Sequence, residues 1–359
     1  LNLSIRSLPS HQREAAAGHW QAVERRSGGD LGVSCSWVWT ETWLKHFGDA
    51  LAHRFVLADD GTGPCAGALL VRGAATRRGP QLRRLHIGTA GESPRDTVWV
   101  EPNRLLAVPS AREAFAAALI AEVHADRWWD ELCADGFVSE DARALLTAEP
   151  ALVARPQDSP TLPLPAPGED VLGRMSSGAA RRIRRSLRGL GPVTTEWAGT
   201  PQEALDILTE LASLHEQGWA QRGVQGRFSS PRFEAFHRDL VRRLVPSGEV
   251  VLFRVRCELG TLGCLYGFVE HDRLLFYQSG LAQLWDNRLR PGLTCHALLM
   301  QACADRGLRE YDFLAGDERY KRELSAASHE LVWARARRRR PRTLAAAVVA
   351  RARRWARNH

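Results

Sequence analysis

Five prolines fall within the fourteen residues Arg155–Gly168 (RPQDSPTLPLPAPG). Each lacks a backbone donor, so the stretch is expected to interrupt any helix or central strand. The chain is 359 residues long, more than one hydrophobic core usually serves. A division follows: a first domain over residues 1–158, a second over 159–337, and a basic tail over 338–359. With 44% apolar and 25% charged residues the composition is globular, which excludes a disordered or fibrous chain.

The second half has the clearer pattern. Residues 170–190 read as a helix carrying RRIRRSLR, and 193–197 as a short strand. Thr200 with Glu203 three positions on marks the capping box of a helix over 201–222, and a helix over 230–244 repeats the device. Three strands at hairpin spacing follow, at 249–257, 263–271 and 274–281. Pro291 opens a helix that Gly307 ends; strand 308–314, the loop AGDERYKRE and strand 329–337 complete the order. The first half echoes this more faintly, with helices at 36–47, 111–124 and 139–147 and strands at 54–58, 65–72, 82–87 and 129–134. GTGPCAG at 61–67 resembles GTLGCLYG at 260–267, which points to duplication.

The net charge of +8 is a property of the tail, because Ala334–His359 holds ten Arg and no acid. The chain has only two Lys, Lys45 and Lys321. Its seven Cys form no C-x-x-C pair, so a reduced protein without a disulfide framework or structural zinc is expected, and no metal site is read. No apolar run approaches the ~20 residues of a membrane span, and no secretory leader is evident. A cytoplasmic protein is expected.

Chemistry concentrates where a helix starts after a strand. Arg290, Gly292, Leu293 and Thr294 sit at that junction, where free N–H groups, a close backbone, a hydroxyl and a cation suit a pyrophosphate. An ordinary capped helix would carry the same residues. Lys321 is read as a mobile point charge for a phosphate or an oxyanion, with Tyr320 beside it able to exchange a proton. Asp317 and Asp312 are candidate bases or acceptor-orienting groups, although Asp312 also suits a turn that bonds backbone. His237 and His215 are the available imidazoles, on helical stripes where core histidines are also common.

The element order, together with LHEQGWAQRGVQGRF (214–228), FHRDLV (236–241), GCLYGF (263–268), FYQSG (276–280), RLRPG (288–292) and EYDFLAGDERYKREL (310–324), resembles the GNAT acyltransferases. The likeness is closest to the CelD-like branch associated with cellulose and exopolysaccharide biosynthesis. It implies an α/β (α+β) fold of tandem GNAT-like domains, each a mixed, mostly antiparallel sheet flanked by helices. It also implies acyl transfer, acetyl above all, from acyl-CoA to an amine or hydroxyl of a small molecule or polysaccharide precursor. Under it Gln278 and Ser279 join Arg290, Gly292, Leu293 and Thr294 on the donor; Lys321, Asp317, Tyr320 and His237 are catalytic; and His215, Trp219, Phe228, Tyr266, Tyr277 and Asp312 meet the acceptor. The second domain is then catalytic and the first structural or acceptor-binding.

The usual GNAT cofactor loop has a second Gly that Pro291-Gly292 lacks. That departure, with the Arg181–Arg188 cluster, keeps open a Fem-like aminoacyltransferase drawing on aminoacyl-tRNA. A non-catalytic module of a polysaccharide synthesis complex is a further alternative. The tail reads as a basic amphipathic helix for an anionic membrane surface, or as a disordered segment.

Overall fold

The computed structural model describes residues 1–29, 31–74, 81–99, 101–284, 286 and 288–358, with the side chains of 350–358 left aside. The chain forms two compact units, Leu1–Gln157 with Leu331–His359, and Asp158–Glu330. Residues 331–337, expected in the second domain, therefore cluster with the first unit.

The first unit contains β1 (Ser4–Pro9), α1 (Arg13–Arg26), α2 (Trp37–Phe47), β2 (His53–Asp59), β3 (Pro64–Arg72), β4 (Arg84–Ile87), β5 (Leu106–Ala107), α3 (Arg112–Ala125), β6 (Glu131–Val138) and α4 (Ser139–Ala148). The opening strand and helix escape the sequence reading; α1 is largely polar and buries only one face, through Ala16, His19, Trp20 and Val23. Antiparallel pairing joins β1, β2, β3 and β4 in turn. β4 then runs parallel to β6, and β6 antiparallel to residues 331–337.

The second unit begins in the Pro-rich stretch. Contrary to expectation, this stretch is a strand, β7 (Val153–Pro163), which pairs antiparallel through Thr161–Pro163 with β12 (Glu310–Asp312). Pro160 is tolerated because the ladder uses its carbonyl, to which Phe313 N–H donates at 2.9 Å, and Pro165 and Pro167 fall after the strand ends. Between these strands come α5 (Ser177–Leu190), β8 (Val193–Trp197), α6 (Pro201–Ala220), α7 (Pro231–Leu244), β9 (Val250–Cys257), β10 (Gly260–Glu270), β11 (Arg273–Leu281) and α8 (Pro291–Asp305). After β12 follow α9 (Arg319–Leu324) and β13 (Ala327–Arg337), and α10 (Pro341–Asn358) ends the chain. Strands β8 to β11 are antiparallel neighbours and β11 is parallel to β12, so each unit has the same strand pattern.

Alternation along β11 separates two packed faces. Phe276 joins α5 and α8 through Ile183, Leu299 and Met300. Tyr277 turns to the opposite face, against His237 of α7 at 4.9 Å between ring centroids. Gly280 lets α6 lie directly on β11, since an added Cβ would sit 2.2 Å from Leu211 O. Gly280→Ala is expected to destabilise the protein by about 3 kcal/mol, measured as a lower urea midpoint, because backbone must move to admit one methyl. An unchanged midpoint would show that the helix does not seat there.

Candidate functional site

Strands β11 and β12 are paired only at Arg273–Glu310, Leu274–Tyr311 and Leu275–Asp312. Beyond Leu275 they part, leaving Gln278, Ser279 and Gly280 paired with β10 alone among the described strands, while Tyr277 is the extra residue of a bulge between Phe276–Gly267 and Gln278–Tyr266. Ser279 N–H is met at 3.1 Å by the carbonyl of the Gln278 side chain. α8 starts near the far end of β11, with Gly292 packed toward Leu281. Thr294 N–H donates to Arg290 O, which begins the helical ladder and leaves the amides of Gly292 and Leu293 without an acceptor inside the helix.

The sequence-predicted residues at this helix start divide into two groups. Arg290 is exposed and Gly292 half-buried, so both are available to an anion. Thr294 is not: its hydroxyl is fully buried and donates to Ser186 Oγ of α5 at 2.9 Å, while Arg290 N–H reaches the same oxygen at 3.0 Å. Ser186 thus ties α5 to α8, a role its place within the Arg run conceals. Around it, Arg184 pairs with Asp170 at 3.1 Å and Arg182 with Glu323 at 3.4 Å. Arg181, Arg185 and Arg188 are exposed and spaced along one side of the helix.

On the α7 face, His237 is fully buried between two phenols, with Nδ1 3.2 Å from Tyr266 Oη and Nε2 3.1 Å from Tyr277 Oη. A neutral imidazole donates from one nitrogen and accepts at the other, so the three rings can pass a proton along. Burial raises the Tyr266 hydroxyl well above its ordinary range, which keeps that end protonated. Tyr277, 9% exposed, is the member nearest solvent.

His215 of α6 is 7% exposed, and Nδ1 lies 3.1 Å from Ser279 O. A carbonyl can only accept, so Nδ1 carries the proton and Nε2 presents a lone pair, reached weakly by Arg227 N–H at 3.4 Å. Burial lowers the pKa of His215, with the Ser279 carbonyl partly opposing. Its ring meets Trp219 at 6.0 Å and Phe228 at 5.5 Å, and Phe228 continues through Phe233 to His237. The structure therefore brings His215, Trp219, Phe228, His237, Tyr266 and Tyr277 into one aromatic wall. Glu216 holds the loop beneath it by accepting from the N–H groups of Gly226 and Ser229 at 3.0 and 3.1 Å.

Within the motif DFLAGDERYK, Lys321 is placed differently from its reading as a mobile point charge. Lys321 is 6% exposed and donates to Leu314 O at 3.1 Å and Ala315 O at 2.8 Å, with Glu318 at 3.3 Å. Its ammonium ties the loop into a knot, so a mobile point charge is replaced by a fixed one. Asp317 points outward and pairs with Arg322. Tyr320 stacks on His296 at 5.2 Å and meets Phe313 at 6.2 Å. Burial, then Glu318, raises the Tyr320 hydroxyl, so it holds its proton. His296 is driven down to about 3 by burial and by Lys321, and stays neutral.

Asp312, considered as a base, is buried with both oxygens engaged. Ser159 Oγ and Leu314 N–H donate to Oδ1 at 2.7 and 2.8 Å, and His329 Nε2 donates to Oδ2 at 2.7 Å. Burial opposes its ionisation most, yet His329, Ser159 and Arg273 together hold the carboxyl below its ordinary range. The bond to Asp312 in turn raises His329. His329 is invisible to sequence reasoning, because nothing in the strand 329–337 signals a partner seventeen positions back.

This pair has opposite effects on stability at the two ends of the pH scale. The Asp312 contribution is present above 3.8, its unfolded value, and is lost as pH falls through the lower folded one. The His329 contribution is complete below 6.5 and is lost as pH rises through its raised folded value. His329→Gln is therefore expected to remove part of the stability decline that begins above pH 6.5, read as urea midpoints across pH. The same slope in both proteins would contradict the pairing.

Residues 176–322 match the family model described as acetyltransferase (GNAT) domain. Among solved structures, a crystal structure of FemX aligns with TM-score 0.55 at 12% identity, covering 81% of this chain and 90% of that one. L-PGS from Bacillus licheniformis aligns with TM-score 0.55 at 10% identity, covering 94% and 95%. A tandem GNAT protein from the clavulanic acid biosynthesis pathway aligns with TM-score 0.46 at 14% identity, over 94% and 98%. At these identities the likeness is one of fold. No curated protein matches the sequence.

Proposed function

We propose, with the GNAT-type domain of residues 176–322 as premise, that the second unit transfers an acyl group from acyl-CoA to an amine or hydroxyl. The observation that supports this most is the parting of β11 and β12 beyond Leu275–Asp312, beside a helix start whose Gly292 and Leu293 amides have no acceptor inside the helix. In this reading the diphosphate rests on the Gly292 and Leu293 amides with Arg290, and the thioester lies along Tyr277–Gly280. The acceptor, a small molecule or cell-envelope polysaccharide precursor as the CelD-like resemblance implies, meets Trp219, Phe228 and His215.

Chemically, the acceptor nitrogen or oxygen forms a bond to the acyl carbon and loses one proton to Tyr277 Oη, whose own proton moves to His237 Nε2. The carbon–sulfur bond breaks, and Tyr320, which burial keeps protonated at rest, gives its proton to the leaving thiolate. His237 then releases the proton it took, and Tyr320 regains one from solvent. Lys321 acts as a positioning residue, holding the loop that presents Tyr320.

The second reading, an aminoacyl-tRNA-dependent Fem-like transferase, is favoured by the exposed Arg181, Arg185 and Arg188, for which a long polyanion is a natural partner. One titration separates the two. Acetyl-CoA is expected to bind the purified chain, about tenfold more weakly after Arg290→Ala. In thiol-release assays against a panel of amines, Tyr277→Phe is expected to lower kcat about a hundredfold with KM for acetyl-CoA unchanged. Salt-sensitive tRNA binding without any for acetyl-CoA would transfer the proposal to the second reading. Binding of neither would overturn both.

Attachment to an anionic membrane surface is proposed for α10. Among the described residues no helix is long and apolar enough to cross a membrane. Leu344 and Val348, one turn apart, are 62% and 69% exposed, and four further Arg, at 351, 353, 354 and 357, follow Arg342 in the sequence. The segment before them is anchored within the first unit: Arg338 lies 3.9 Å over the Trp129 ring and Arg340 pairs with Asp130 at 3.1 Å. A deletion beginning at Leu344 therefore leaves the fold intact. Full-length protein should float with phosphatidylglycerol vesicles and the truncated chain should not; equal flotation would refute the attachment.

A further inference from the structure

The first unit has a cavity of about 280 Å³ near the end of its own parallel pair, where β4 and β6 part beyond Ile87–Ala134. This lies near the lower end of the ~300–1,000 Å³ usual for small-molecule sites. A bulge shapes it. Val332 pairs with Phe137 and Ala334 with Ala134, so Asp135 and Gly136 together oppose Trp333. Gly136 has φ +67°, and a Cβ there would press on Glu101 at 3.0 Å and Trp333 at 3.4 Å. Bulges of this kind re-aim a side chain, and here Trp333 lines the cavity together with Trp99.

The charges of the wall are unevenly matched. Arg84 pairs with Glu131 at 2.8 Å, and Asp135 takes both Arg335 and, at 3.0 Å, His86. Glu92, by contrast, receives the neutral indole N–H of Trp43, and no cation among the described residues pairs with it. His86, Cys133 and Asp135 have donor atoms within 4.8 Å of one another, but the His86–Asp135 bond and Arg335 already use these groups. Burial also raises the Cys133 thiol far from thiolate. A metal is therefore not what this wall is built for.

We propose that the cavity binds a small molecule bearing a primary ammonium on an apolar arm, with the ammonium on Glu92 and the arm against Trp99 and Trp333. Aromatic faces and a carboxylate are the groups that recognise such a cation. The site is separate from acyl transfer by the second unit and stands or falls without it.

Burial, only partly opposed by the Trp43 bond, pushes Glu92 up to about 8, so it is mostly protonated at pH 7 before the ligand arrives. The charged and titratable groups around it are Asp96 on its own loop, Asp135 from β6, Arg84 and His86 from β4, Glu101, and Arg335 from β13. A bound ammonium favours the carboxylate, so binding at pH 7 should release protons.

The test is calorimetry on the full chain with phenethylamine, tryptamine, lysine and spermidine at millimolar concentration, in buffers of different ionisation enthalpy. Phenethyl alcohol is the uncharged control. At least one amine is expected to bind with proton release while the alcohol does not. Glu92→Gln keeps an acceptor for Trp43, and is expected to retain its urea midpoint, weaken the amine at least tenfold and abolish the release. Trp333→Ala is expected to weaken binding while leaving the release in place. Binding by none of the amines, equal binding of the alcohol, or affinity and proton release unchanged in Glu92→Gln would each overturn the proposal.

Discussion

The buried carboxylate of Asp312 governs the second unit. It stands at the last residue of β12, bonded by Ser159, by the Leu314 amide and by His329. A buried ion is retained only where its lone pairs are met, so these three donors determine where β12 can end. Because it ends there, its pairing with β11 stops at Leu275, and Tyr277–Gly280 have no partner from β12. Leu314, at φ +58°, turns the chain immediately afterwards, and Lys321 binds that turn through two carbonyls. The end of the β11–β12 pairing is thus fixed by polar groups that do not themselves exchange a proton with substrate in the proposed chemistry.

Much of this architecture was legible in sequence because it rests on local rules. The capping box at Thr200 and Glu203, the hairpins before and after β10, and Pro291 at a helix start are short-range signals, and each stands where its pattern put it. The Pro-rich strand was not legible. A proline forbids donation but not acceptance, and which of the two a position requires depends on a partner strand about 150 residues away. The aromatic wall was read residue by residue, while its wiring was not. Two phenols flanking His237, and the Ser279 carbonyl that fixes the tautomer of His215, are meetings of distant elements. Lys321 stands out in the sequence by its rarity and by the Tyr-Lys motif, but the Leu314 and Ala315 carbonyls that it binds cannot be read from either.

The two units share a strand pattern but differ in what surrounds the parting strands. In the second unit a helix whose first amides lack an acceptor inside the helix begins with an exposed Arg290, and the α7 face of β11 carries imidazole and phenol. In the first, the corresponding position is lined by Trp99, Trp333 and Glu92, with Arg84, His86 and Arg335 spoken for by other carboxylates. Phosphates suit the former environment and an ammonium the latter. The duplication hinted at by GTGPCAG and GTLGCLYG is therefore one of scaffold, with the chemistry of each opening set by a few side chains.

Amide hydrogen exchange with and without acetyl-CoA addresses the central claim most directly. Slowed exchange confined to residues 276–281 of β11 and to the first turn of α8, Gly292 and Leu293 above all, is the predicted result. If acetyl-CoA leaves both segments unchanged while protecting another part of the chain, the parting of β11 and β12 is not the donor site.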